Sequence, residues 1–213
     1  GARRTGKSTL VYQIIRSLNG STHGILLAGG NMWLMQYRFL IWNLTVADLK
    51  IKYQSSALGF IWSLLNPLLT MLVLYFVFAN FFRFEQENFA LYILVGIIAW
   101  RFLANGTSHA MISVVNRPSL VTKIYIPRQI LVLSSTLSSF ISSTLEFCVL
   151  IPLLFILGAP ITPYILFLPI AHGIFFFIVY GLSLALAALY VYYRDLTQIW
   201  DVVIQLGFFL SPI

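Results

Sequence analysis

One acid, Glu146, stands inside a long apolar run, and Ser135, Ser139 and Ser142 precede it at spacings of four, three and four. On a helix these four side chains share one face. A carboxylate at membrane depth is costly, and by default it faces a bundle interior or a wet cavity. Such a stripe could line a path for a hydroxyl-rich solute. The same serines, being small, also permit close helix packing with their hydroxyls bonded locally. Both readings stay open from the residues alone. A second constellation opens the chain, where Gly1 to Ser8 reads GARRTGKS and fits the phosphate-binding pattern G-x-x-x-x-G-K-[ST]. In that pattern Gly1 and Gly6 let backbone N–H groups wrap phosphates, Lys7 reaches the terminal phosphates and Ser8 holds Mg²⁺. The later apolar run Ile25-Leu26-Leu27 ends in Ala28-Gly29-Gly30, not in a metal-holding Asp. His23, His109, His172 and Cys148 show no metal-ligand spacing. No Ser-His-Asp order and no paired carboxylates stand out, so a catalytic or metal site is not expected.

The elements that position these residues follow from composition. Of 213 residues, 60% are hydrophobic and 9% charged, against about 25% charged in soluble domains. That is too few charges to cover a water-facing surface, and the chain reads as an all-α integral membrane protein. The net charge of +7 raises nucleic acid as a partner. The basic residues are scattered at the ends of apolar runs, not gathered on one polar face, which argues against it. Cys148 is the one cysteine, so no internal disulfide forms.

Residues 1–31 read as a phosphate-loop-like fragment and a Gly-rich linker, and residues 32–213 as a membrane domain. Trp33 to Tyr53 forms an amphipathic helix. Trp33, Tyr37, Leu40, Ile41, Leu44 and Ile51 lie near one face, while Arg38, Asp48, Lys50 and Lys52 fall elsewhere, at the level of lipid headgroups. It feeds a first span, Ala57 to Phe82, expected to kink at Asn66-Pro67. A second span runs from Phe89 to about Leu103 with a polar continuation to Val115, a third from Gln129 to Leu157, and a fourth from Tyr164 to Tyr190. A fifth apolar segment starts near Thr197. The chain lacks an initiator Met and stops at Ser211-Pro212-Ile213 within an apolar run, so a longer parent sequence is expected.

Arg101 is expected to snorkel from the end of the second span. Asp201 is expected to pair with a basic group at its level, and His172 to be a packed, hydrogen-bonded histidine. Trp62, Tyr75 and Phe78 are candidates to face a lumen, with lipid-facing packing as the alternative. Alternate loops carry Arg38, Lys50 and Lys52, then Arg117, Lys123 and Arg128, then Arg194, while Arg83 on the opposite side is outvoted by Glu85 and Glu87. Basic loops stay inside, which places the amino terminus in the cytoplasm of a multi-pass protein of the cell (inner or plasma) membrane.

Four stretches together resemble a known family. They are DLKIKYQSSALGFIWSLLNPLL (Asp48 to Leu69), NRPSLVTKIYIPRQILVLSS (Asn116 to Ser135), YYRDLTQI (Tyr192 to Ile199) and FFLSPI (Phe208 to Ile213). They resemble the permease subunits of type-2 ABC exporters for lipid-linked polysaccharides such as O-antigen, teichoic acid or capsule precursors. The resemblance implies six spans in the complete subunit, a permease homodimer, and two separate ATPase subunits that hold ATP and Mg²⁺, with no cofactor in this chain. It implies a gate helix, Gln36 to Tyr53, carrying Arg38, Asp48, Lys50, Lys52 and Tyr53. It also implies a coupling segment, Asn116 to Arg128, carrying Arg117, Lys123 and Arg128, and aromatic residues of the first and fifth spans along the sugar path. Gly1 to Ser8 is foreign to it and resembles the opening of a AAA-type ATPase. Two other readings compete: a membrane-anchored P-loop ATPase, and a permease of the same fold for drugs or small lipids.

Overall fold

The computed structural model of the protein describes residues 32–54, 59–81, 88–118, 126–158 and 163–211. Gly1, Gly6, Lys7, Ser8 and Lys123 lie outside them. The chain divides into two units, Gly1–Leu40 and Ile41–Ile213, and the packing below is that of the second.

The described elements are all helical. They are α1 (Met32–Gln54), α2 (Gly59–Phe81), α3 (Phe89–Ser113), α4 (Arg128–Phe147), α5 (Leu150–Ile156), a 3₁₀ turn (Pro163–Leu166), α6 (Phe167–Tyr192) and α7 (Leu196–Leu210). Four stretches are long and apolar enough to span a bilayer: Ile61–Phe78, Phe89–Ser113, Arg128–Ile156 and Phe167–Tyr192. The fifth apolar segment forms α7, whose 15 residues rise about 22 Å at 1.5 Å each. That is short of the roughly 30 Å of hydrocarbon a span must cross.

α3 takes in both the second span and its expected polar continuation, ending at Ser113. Its polar end stays helical because Thr107 donates to the Leu103 carbonyl at 2.7 Å and Ser113 to the Ala110 carbonyl at 2.7 Å. The hydroxyls are thereby satisfied within the helix itself. The third span breaks at Cys148 and Val149, between α4 and α5. Pro152 explains the break. It has no N–H to give the Cys148 carbonyl, and its ring crowds that carbonyl four residues back. The chain tightens there instead, with the Cys148 and Val149 amides bonding three residues back, to Leu145 and Glu146.

α3 is the central helix and packs most extensively on α4 and α6, then on α2. Its middle supplies Ile93, Leu94, Ile97 and Ile98 to a core completed by Met71, Phe89, Leu91 and Leu150. A second cluster joins Ala110, Val114, Leu131, Val132 and Ala187. Two glycines set the close approaches. A Cβ at Gly106 would lie 2.9 Å from Val179 Cγ1, and one at Gly207 2.8 Å from the Trp100 ring. α7 is further tied to α3 by the Trp200 indole N–H, which donates to Thr107 Oγ1 at 2.8 Å. His172 is buried among Phe102, Phe140 and Phe147, stacked on the Phe140 ring at 4.5 Å.

Candidate functional site

The site begins on α1. Ile41 and Thr45, four residues apart, are its buried positions among the described residues, and they set the face the helix turns to the bundle. Thr45 Oγ1 donates to the Ile41 carbonyl at 2.8 Å and reaches the Ser134 carbonyl at 3.3 Å. One turn on, Asp48 ion-pairs with Arg117 and accepts from Ser135 Oγ at 3.4 Å. The Tyr53 hydroxyl meets Ser142 Oγ at 3.1 Å. The Thr45–Ser134 and Tyr53–Ser142 bonds keep the same offset of 89 residues. α1 and α4 therefore advance in the same direction, over about 12 Å along the two helices.

The partner face on α4 is the serine stripe. Ser134, Ser135, Ser138, Ser139, Ser142 and Ser143 are all buried. Small side chains let α3 come close, and the stripe's hydroxyls and backbone give α1 its polar anchors. Between α1, α3 and α4 a cavity of about 320 Å³ remains, lined among others by Asp48, Lys52, His109, Asn116, Arg117 and Ser139. Lys52 itself is exposed, with its ammonium 5.6 Å from the Tyr53 ring centre.

Further along the same α4 face lies Glu146, its side chain 4% exposed, and Arg101 of α3 reaches it with Nε 3.5 Å from Oε2. Arg101 Nη1 also donates to Asn66 Oδ1 of α2 at 2.7 Å. The expected snorkelling of Arg101 is therefore corrected. With α3 extended to Ser113, Arg101 is its thirteenth residue of 25, about 18 Å from either end and beyond the reach of its side chain. An acid and an amide at the same depth face it instead, so three spans converge on one charged node.

The structure sorts the remaining candidates. Trp62 and Tyr75 are exposed on α2, whereas Phe78 packs inward, edge-on to Phe89 with ring centres 5.9 Å apart. Arg38 and Lys50 are exposed on α1. Of the basic segment, Arg128 is exposed at the start of α4, while Arg117 is turned to Asp48. Asp48, expected among lipid headgroups, lies inward, because there it gains a guanidinium and a serine hydroxyl. Asp201 is exposed on α7.

Sequence reasoning found the serine face and Glu146 but not their partners. The signals for the deep node were present: an Arg midway along an apolar run, and an Asn beside a helical Pro. The arrangement holds helices against one another through polar contacts, with a cavity lined by charged and polar groups at one end and a charged node at the other.

Comparison with known proteins agrees with this architecture. Residues 39–213 match the model of the ABC-2 type transporter family. The chain is 30% identical over 172 residues to the "O-antigen export system permease protein RfbA" of Klebsiella pneumoniae, covering 80% of this chain and 66% of that protein. It is 31% identical over 184 residues to the protein of the same name in Myxococcus xanthus, covering 84% of this chain and 69% of that one. The chain thus spans slightly under two thirds of the Klebsiella relative's length. A match over all of Ile41–Ile213, on a helical bundle of this kind, supports one conclusion: the chain belongs to the ABC-2 type transporter family, in its membrane-spanning part.

Proposed function

We propose that the chain is the permease subunit of an ABC exporter that moves a lipid-linked polysaccharide outward across the cytoplasmic membrane. A separate ATPase subunit, holding ATP and Mg²⁺, drives it. The observation that carries this reading is the family match across residues 39–213 together with two relatives named for O-antigen export. The working unit is a permease homodimer with two ATPase subunits, and the amino terminus is cytoplasmic. α1 serves as the gate helix. Its polar anchors to the serine stripe can be released and remade, which a mobile cover over a hydrophilic path requires. Trp62 and Tyr75 present aromatic faces outward from the subunit, where sugar rings can stack. Arg128 and Lys123 are offered to an acidic surface of the ATPase. Arg117 links that segment to α1 by its pair with Asp48, so a push on the one is felt by the other.

The test is affinity purification of the full-length parent protein from its own host in mild detergent, beside deletion of its gene. An ATPase recovered in equal copy number, with loss of surface polysaccharide and build-up of its lipid-linked form inside the cell, is the expected result. Recovery of a chain that hydrolyses ATP alone would overturn it in favour of the phosphate-loop reading. Unchanged surface glycan with altered drug or lipid efflux would assign the same fold to another substrate.

A further inference from the structure

The charged node at Arg101 joins α2, α3 and α4. An ion pair within hydrocarbon adds little net stability over a well-packed apolar pair, although removing one partner alone is strongly destabilising. Its presence therefore calls for a role other than holding the bundle together. Its placement supplies one. Asn66, the third member, immediately precedes Pro67 within α2. Pro67 gives no backbone N–H to the Ser63 carbonyl, so α2 is weakest and most easily bent at that turn. Asn66 also sits at the edge between two faces of α2. Trp62, Leu65 and Leu69 are exposed on one side, and Pro67 and Met71 are buried on the other. A bond fixed at that point sets both the bend of α2 and its rotation.

We propose that Arg101, held in place by Glu146, is a positioning residue that grips Asn66 at the Pro67 turn and fixes which face α2 turns to the transport path. The proposal rests on the export reading above. Glu146 is nearly enclosed at 4% side-chain exposure, whereas Arg101 keeps 26%. The acid is thus the fixed anchor and the guanidinium the part that can let go. Releasing Asn66 frees α2 to turn the face of Trp62, Leu65 and Leu69 without unpacking α3 from α4. Restoring the bond returns it.

The experiment uses the full-length protein in its host membrane with its partner subunits. Asn66→Leu removes the grip and leaves the ion pair. Arg101→Met with Glu146→Met removes both charges together, so neither is stranded. Both variants are expected to insert and to keep a thermal midpoint near that of the wild type. Export is expected to fall at least tenfold while ATP hydrolysis persists, which is the mark of lost coupling and not of lost folding. Arg101→Met alone strands Glu146 and is expected to lower the thermal midpoint sharply, which separates the structural effect from the positioning one. Wild-type export in Asn66→Leu and in the double variant would overturn the proposal. So would failure of both to insert, because the node would then serve assembly. Gene deletion run alongside separates the two claims. If deletion leaves surface polysaccharide unchanged, the export reading itself falls. If deletion abolishes it while both variants export normally, only the positioning role falls.

Discussion

At the scale of single residues, the informative group is Asp48. A carboxylate between Lys50 and Lys52, ahead of an apolar run, reads in sequence as one charge of a headgroup-level cluster. In the structure it is shared between Arg117 and Ser135. Nothing in the spacing of α1 announces this, because the partners lie 69 and 87 residues away and depend on tertiary register. The reverse holds for the serine stripe, which is legible because helical periodicity alone puts Ser135, Ser139, Ser142 and Glu146 on one face. What the periodicity left open was whether that face meets solute or protein. The Asp48, Tyr53 and Arg101 contacts show protein at three of its four positions. The pair itself can be tested by exchange. Arg117→Asp leaves two facing carboxylates and should cost about 1–3 kcal/mol, as expected when a partly buried charge loses its partner. Asp48→Arg in the same chain should recover most of the lost thermal midpoint and the substrate-stimulated hydrolysis of the complex. A double variant no better than Arg117→Asp would show that the two residues do not act as a unit.

At the scale of elements, long apolar runs gave the four spans because length and hydropathy decide whether a helix crosses a bilayer, whatever its neighbours. The ends were harder. α3 outran its apolar stretch because its hydroxyls close on its own backbone, a local compensation that hydropathy does not register. α4 ended early because of Pro152, which the sequence does contain; applying to it the reasoning given to Pro67 would have placed the break at Cys148. α2, by contrast, runs as one helix through Pro67. Packing between α3 and α6 includes a close approach at Gly106. Gly106→Leu would drive a side chain into Val179, already within 2.9 Å of a bare Cβ. Overpacking of this kind costs about 1–3 kcal/mol, and the thermal midpoint in detergent should fall. Pairing it with Val179→Ala should return part of the loss, since the added and removed volumes then meet at one spot. Unchanged stability in Gly106→Leu would mean that α6 shifts freely on α3.

At the scale of the whole molecule, the argument concerns sidedness. The node of Arg101, Glu146 and Asn66 and the pair of Asp48 and Arg117 lie at two depths of one bundle. Which depth is nearer the cytoplasm decides whether α1 is a gate at the inner or the outer face. Basic residues settle the expectation: Arg117, Arg128, Lys50 and Lys52 belong to segments on one side, and Arg83 with Glu85 and Glu87 to the loop on the other. Basic loops are retained on the inside. Cys148 is exposed at the break between α4 and α5, so it, with any further cysteine of the full-length protein, must first be replaced by Ser. Single cysteines are then placed at Glu85 and at Asn116 in the full-length protein. A membrane-impermeant maleimide applied to intact spheroplasts should label the first and spare the second, with both labelled after permeabilisation. The opposite pattern would invert the bundle. It would put the Asp48–Arg117 pair on the far side of the membrane from any ATP, and coupling through Arg117 would have no ATPase to couple to.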